Sequence, residues 1–224
     1  MGLNKYLVRK KLKANTIIKR GFDLCFASSG LILLFPLMII FGLLIKKADR
    51  GPIFYIGQRV GADGKLFNIY KFRTMVVDAD KKGGPSTSED DPRITKIGKV
   101  LRKYKLDEIP QLINVLKGEM SIVGPRPEVP QEVATYSDEE KRILLVKPGM
   151  TDYASILFNN EGEILKGSSD PHQTYREKIR PEKLRLALQY VDNNSFLVDL
   201  NIIIKTVAII IRTRAIKGSN NAIK

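Results

Sequence analysis

An uncharged, almost wholly apolar run from Leu24 to Ile45 lies near the start of the chain, with Pro36 in its middle and basic residues at both ends. At ~1.5 Å per residue a helix of this length reaches about 33 Å, enough for a hydrocarbon layer about 30 Å thick. Length alone favours a spanning helix. The flanks do not, because Lys19 and Arg20 precede the run, Lys46, Lys47 and Arg50 follow it, and basic residues favour the cytoplasmic side. A helix that enters, breaks at Phe35 and Pro36 and returns satisfies both flanks: proline removes one internal hydrogen bond and pushes the preceding residue away from helical geometry. The expectation is a re-entrant membrane hairpin, with a simple spanning anchor as the alternative, since proline kinks are tolerated in spanning helices. A cleaved signal peptide fits poorly, because the run is too long and no small-residue cleavage pattern follows it.

The 224 residues leave room for one globular domain after this element. A formal charge of +14, from 38 basic against 24 acidic residues, favours anionic partners. Lys5, Arg9, Lys10, Lys11, Lys13, Lys19 and Arg20 crowd the first twenty residues with no acid among them, which suits a segment lying on an anionic leaflet better than one reading nucleic acid. Cys25 is the only cysteine and His172 the only histidine, so a disulfide framework and a thiolate or imidazole zinc cluster are excluded. Catalysis in such a chain falls to carboxylates, lysines, arginines, hydroxyls or an oxygen-bound ion of the magnesium type.

Along the chain, Ile53 to Ile56 and Leu66 to Arg73 read as strands joined through Asp63-Gly64, a β-hairpin signal. Asp78 to Asp91 reads as a loop, long enough for a lid and equally compatible with a surface excursion. Ile94, Ile97, Leu101 and Tyr104 recur at helical spacing among basic residues between Pro92 and Lys105, giving a basic amphipathic helix that suits either a solvated face or a membrane interface. A helix starting near Pro110 is stopped by Gly118. Ser137 and Glu140 fit a capping box, and a helix pair is expected from Thr174 to Asn193, interrupted at Pro181. Phe196 to Arg214 is apolar but broken by Asp199 and Lys205, so an interfacial or core-facing helix is expected there.

The candidate chemistry centres on Asp107 and Glu108, which stand before a helix N-terminus and behind a helix carrying six basic residues. Both influences favour ionised carboxylates near neutral pH. An ionised aspartate can attack phosphorus or hold Mg²⁺, and nearby lysines and arginines can neutralise phosphoryl oxygens. The pattern fits a phosphoryl-transfer centre.

The runs Lys71-Phe72-Arg73-Thr74-Met75, Leu106-Asp107-Glu108-Ile109-Pro110-Gln111-Leu112, Asn114-Val115-Leu116-Lys117-Gly118, Met120-Ser121 and Gly124-Pro125-Arg126-Pro127 resemble the monotopic phosphoglycosyl transferases of the bacterial sugar transferase family. The resemblance covers about Lys19 to Gly149. It implies an α+β, mostly helical protein with a re-entrant membrane helix, a small β-hairpin and interfacial amphipathic helices, on the cytoplasmic face of the bacterial inner membrane. It also implies transfer of a phosphosugar from a UDP-sugar to polyprenyl (undecaprenyl) phosphate, with release of UMP, as a first membrane step in building a glycan. By the same resemblance Asp107 is the nucleophile and, with Glu108, a Mg²⁺ contact. Glu108 supports the metal or deprotonates the acceptor. Lys71, Arg73, Arg102 and Arg126 are phosphate contacts, or else structural lysine and arginine residues of strand, helix and loop. The implied organisation is a basic juxtamembrane segment at 1–20, the membrane helix at 21–47, the catalytic domain at 48–217 and a tail at 218–224. A homo-oligomer is compatible with this scheme.

Two departures from the family pattern stand out. Phe35 replaces the serine that often precedes the helix-breaking proline, and after Lys147-Pro148-Gly149-Met150-Thr151 the chain continues Asp152-Tyr153-Ala154-Ser155 in place of Gly-Leu-Ala-Gln. That second region either touches the nucleotide sugar or diverges structurally. From another class, the rival reading is a membrane-anchored basic nucleic-acid-binding or adaptor protein. No aromatic or groove-reading motif supports the nucleic-acid version, and no nucleic-acid partner is expected.

Overall fold

A computed structural model describes residues 2–83 and 87–219, with side chains described for 17–79, 81–83 and 87–212. The order of elements is α1 (Gly2–Asp49), β1 (Phe54–Val60), β2 (Leu66–Phe72), α2 (Lys96–Lys103), α3 (Gln111–Lys117), β3 (Ser121–Val123), α4 (Pro130–Val133), β4 (Gly149–Thr151), α5 (Tyr153–Leu157), α6 (Glu161–Ile164), α7 (Pro171–Thr174), α8 (Arg180–Asn193) and α9 (Phe196–Ser219). The result is mostly helical, with one antiparallel hairpin and one short parallel pair.

The helix α1 runs without interruption through Phe35 and Pro36, which corrects the expectation of a helix broken there. The cause is visible in the buried stripe. Asp23, Ala27, Leu31, Leu34, Met38, Phe41 and Ile45 follow one another at three- and four-residue spacing on both sides of the proline and pack on the domain, while Phe35 and Pro36 point outward and are exposed. One missing hydrogen bond does not outweigh continuous packing of a helix face. The helix also joins the expected segments 1–20 and 21–47 into one element. The basic side chains before Ile17 lie outside the described residues.

In the hairpin, β1 and β2 pair from Phe54 opposite Phe72 to Val60 opposite Leu66. The turn is a 3₁₀ segment with Asp63 and Gly64 at φ 55° and 77°, as the Asp-Gly pair leads one to expect. The inner face, Phe67 and Ile69, joins Ala27 of α1, Leu112 and Val115 of α3 and Ile202 of α9 in the main core. Thr95 caps α2 by accepting from the Gly98 N–H at 3.0 Å, and this shortens the helix at its start. The apolar face of α2 is an internal face, with Leu101 and Ile97 packed beside Ile45 and Phe72. The parallel pair sets Ser121 beside Gly149 and Val123 beside Thr151.

The capping box forms, with the Ser137 N–H donating to Glu140 at 2.6 Å and the Glu140 N–H to Ser137 Oγ at 3.3 Å. Before Pro181 the chain takes a π-helical turn, Tyr175–Ile179, which accommodates the proline in place of a break between two helices. The loop after β2 is pinned at its ends: Arg93 bonds Asp91 at 2.7 Å and the Ala79 carbonyl at 3.1 Å, and the Glu89 N–H donates to the Gly162 carbonyl at 2.9 Å. Residues 84–86 of that loop and 220–224 of the expected tail lie outside the described residues.

Candidate active site

Lys105, at φ 57°, turns the chain out of α2 into a 3₁₀ turn, Leu106–Glu108, that leads into α3. This reversal, set between α2 and β2, places Asp107 in a buried position. Glu108 projects toward two cations brought from distant parts of the chain. Lys71, on β2, places Nζ 2.8 Å from Glu108 Oε1. Arg126, in the loop after β3, bonds Oε1 through Nη2 and lies 3.5 Å from Oε2 through Nη1. Its backbone N–H donates to Asp152 Oδ2 at 3.3 Å, so the divergent segment after Thr151 braces the arginine loop. Arg102, on α2, donates from Nε to Thr74 Oγ1 at 2.9 Å, and its charge acts on both Asp107 and Asp91.

The two adjacent carboxylates differ electrostatically. For Asp107, burial and the Glu108 charge raise the pKa, and Lys71, Arg102 and Lys105 only partly offset them. For Glu108, burial also acts upward, but the Arg126 and Lys71 charges and hydrogen bonds outweigh it and hold the carboxyl well below the usual range. The surroundings therefore favour the charged form of Glu108 and work against that of Asp107. Burial pushes the Lys71 ammonium down, against the opposing pull of Glu108.

Among the described residues no group hydrogen-bonds the Asp107 carboxylate, so its oxygens are open to an electrophile or an ion. Lys71, Arg102, Lys105 and Arg126 set four positive charges against these two acids. An excess of that sign suits a diphosphate.

Of the residues expected at the site, Lys71, Arg102, Arg126, Asp107 and Glu108 come together. Arg73 does not. Its guanidinium clamps the Asp49 carboxylate with both terminal nitrogens, donates from Nε to the Pro52 carbonyl at 2.6 Å and from Nη1 to the Met75 carbonyl at 3.1 Å. With those donors engaged it fastens the end of α1 to the hairpin. Gln111, a residue the pattern did not assign to the site, is 1% exposed four positions after Asp107, and among the described residues its Nε2 has no partner. A buried amide left unpaired in this way costs about 1–3 kcal/mol. Its signals in the sequence are its place in the Leu106–Leu112 run and a polar residue at a core position of α3.

Comparison with known proteins yields one family and several relatives. The bacterial sugar transferase profile matches residues 14–213. The chain is 37% identical over 213 residues to the exopolysaccharide production protein ExoY of Sinorhizobium fredii, covering 88% of this chain and 87% of that protein. It is 37% identical over 206 residues to an uncharacterized sugar transferase, EpsL, of Bacillus subtilis, covering 92% and 93%. It is 35% identical over 197 residues to the UDP-N-acetylgalactosamine-undecaprenyl-phosphate N-acetylgalactosaminephosphotransferase of Aeromonas hydrophila, covering 87% of this chain and 44% of that longer protein.

Proposed function

The chain belongs to the bacterial sugar transferase family and is a phosphoglycosyl transferase, and on that premise we propose that it moves a phosphosugar from a UDP-sugar to undecaprenyl phosphate through an aspartyl-phosphosugar intermediate. The observation that carries this reading is the contrast between the two acids: Glu108 is engaged by Lys71 and Arg126, whereas the Asp107 oxygens are open.

An Asp107 oxygen attacks the β-phosphorus of the donor. The bond from that phosphorus to the bridging oxygen breaks, and UMP leaves with the electron pair. Glu108 holds Lys71 and Arg126 where they neutralise the phosphoryl oxygens as charge shifts. A phosphate oxygen of the lipid carrier then attacks the same phosphorus, the bond to Asp107 breaks, and the carboxylate is restored. Two half-reactions on one nucleophile give ping-pong kinetics.

Magnesium fits the donor set. The pair offers oxygen only, and among the described residues the Asp107 carboxylate is without a hydrogen bond. That suits an ion held by one or two carboxylates together with substrate phosphates. Asp107 would hold it, with Glu108 joining only where it releases Lys71 or Arg126, and when bound it supplies positive charge at the diphosphate.

The course of α1 supports a membrane placement. A spanning helix needs about 20 residues clear of the domain, yet α1 touches it from Lys19, bonded to the Val123 carbonyl, to Ile45, buried beside Phe72. The outer face bears Ile32, Leu33, Phe35, Ile39, Ile40 and Leu43, all exposed. We place that face in one leaflet on the cytoplasmic side, with the exposed apolar residues of α9 at the interface. The site then meets the carrier's phosphate at headgroup level.

The test is purified enzyme with Mg²⁺, undecaprenyl phosphate and a panel of UDP-sugars, with UMP as the readout. Asp107→Asn should lower turnover by about a thousandfold or more. Donor without acceptor should leave a phosphosugar mass on Asp107. Turnover surviving in Asp107→Asn overturns the covalent route.

A further inference from the structure

Gly118 ends α3 at φ 80°, and a Cβ there would lie 3.4 Å from Arg20 Nη2 and 3.5 Å from Lys147 Nζ. Two cations therefore converge over one residue that has no side chain. Arg20 is fixed in place, donating from Nη1 to the Val115 carbonyl at 2.6 Å and from Nη2 to the Leu116 carbonyl at 2.8 Å. Both carbonyls belong to the last turn of α3, where Leu116 is left open and Val115 also accepts from the Gly118 N–H at 3.0 Å, and the partial negative charge of that helix end favours a cation.

Lys147 has no such anchor. Among the described residues its ammonium makes no hydrogen bond or ion pair, and burial, Arg20 and Lys19 all press its pKa down while Asp23 acts the other way. The acid whose charge acts on it is already engaged: Asp23 accepts from Ser121 Oγ and the Ile122 N–H, each at 3.0 Å. A half-buried ammonium beside a fixed guanidinium, with Asp23 turned to other donors, lacks an anion.

Position says which anion. Arg20 stands four residues before the apolar run begins. In the one-leaflet placement proposed above, on which this inference rests, the pair lies at the depth of bilayer phosphates. It is also separate from Asp107, because α3 puts the two sites at its opposite ends, about 10 Å apart along the axis.

We propose that Arg20 and Lys147, converging over Gly118, seat the phosphodiester of an anionic phospholipid. Inorganic phosphate shares the chemistry, and the membrane position commits the seat to the lipid.

The test titrates the full chain in neutral detergent with short-chain phosphatidylglycerol, short-chain phosphatidylcholine and inorganic phosphate, counting bound ligand by native mass spectrometry. The expected result is saturable binding of one phosphatidylglycerol, weakened about tenfold in Lys147→Gln and less than about twofold in Lys99→Gln, which loses the same charge on α2. Lys147→Arg should retain it. Equal effects of Lys147→Gln and Lys99→Gln overturn the proposal in favour of diffuse attraction, and phosphatidylcholine or inorganic phosphate binding as tightly as phosphatidylglycerol overturns it as well. The wild-type comparison of the three ligands decides the matter even if Lys147→Gln does not fold. UMP release is scored in parallel: lipid binding without UMP release counts against the enzymatic reading alone, and UMP release without lipid binding against the seat alone.

Discussion

Asp107 and Glu108 are neighbours in the chain, yet mutating each should move stability in opposite directions. The folded pKa of Asp107 is raised, so its favourable contribution is fully present below the ordinary carboxylate range and is lost as pH rises through the folded value. Above the folded value the ionised group destabilises the fold. Asp107→Asn should therefore raise the melting temperature by about 2–4 °C, the equivalent of about 1 kcal/mol for a chain of this size, while abolishing UMP release. The folded pKa of Glu108 is lowered, so its stability is present above the ordinary glutamate range and is lost as pH falls through the folded value. Glu108→Gln should cost about 3 kcal/mol, because it leaves Lys71 and Arg126 without their shared acid. Thermal unfolding of both variants in detergent between pH 5 and 8 measures this opposition. The pH profile of turnover tests Asp107 again: attack requires the carboxylate, so activity should fall on acidification with a midpoint above that of an ordinary aspartate. At this scale the adjacent acids were legible from their place before α3. The difference between Arg73 and Arg126 was not, because both are arginines in polar motifs, and only the arrival of Asp49 beside one and Glu108 beside the other separates them.

The elements meet through a buried polar knot. Lys19 Nζ of α1 bonds Asp199 Oδ2 of α9 at 2.5 Å and the Val123 carbonyl of β3 at 2.9 Å, while the Tyr190 hydroxyl of α8 lies 2.7 Å from Asp199 Oδ1. In sequence Asp199 reads as a flaw in an apolar helix, and in the fold it ties α9 to α1. Removing one partner of such a pair leaves a buried charge, so Lys19→Met should destabilise by about 3 kcal/mol. Adding Asp199→Leu to Lys19→Met should recover most of that loss, and chemical denaturation of the two variants measures the coupling. Elements whose signals are local were readable in advance: the hairpin from Asp63-Gly64, and the end of α3 from Gly118. The pairing of β3 with β4 was not, because three-residue strands have little period of their own and their register is set by partners distant in the chain. Gly98 belongs to the same class. A Cβ there would fall 1.9 Å from the Thr74 carbonyl oxygen, a closeness that holds Arg102 of α2 against the hairpin and that no spacing rule reveals.

For the whole molecule, the arrangement of α1 along the domain bears on how the protein would sit on a membrane. Lys19 and Ile45 are separated by about 40 Å of helix, more than the hydrocarbon thickness, and both are held to the same domain with packed residues between them. A transbilayer course would draw Leu112 and its core neighbours into lipid along with α1. It would also have to bury the acids and bases of the surrounding loops, at several kcal/mol for each charge. An orientation with the outer face of α1 sunk into one leaflet avoids both penalties and leaves the two ends of the run on one side, where Lys46 and Lys47 meet the same headgroups as Arg20. In a Cys25→Ser background, Ile17→Cys and Lys81→Cys sample the start of the membrane helix and a loop of the domain, and both positions are exposed in the fold. Both should react with a membrane-impermeant maleimide in inverted vesicles and resist it in intact cells whose outer membrane is permeabilised. Reaction of Ile17→Cys from the opposite face would establish a spanning anchor and remove the basis for placing Asp107 at the level of the lipid phosphate.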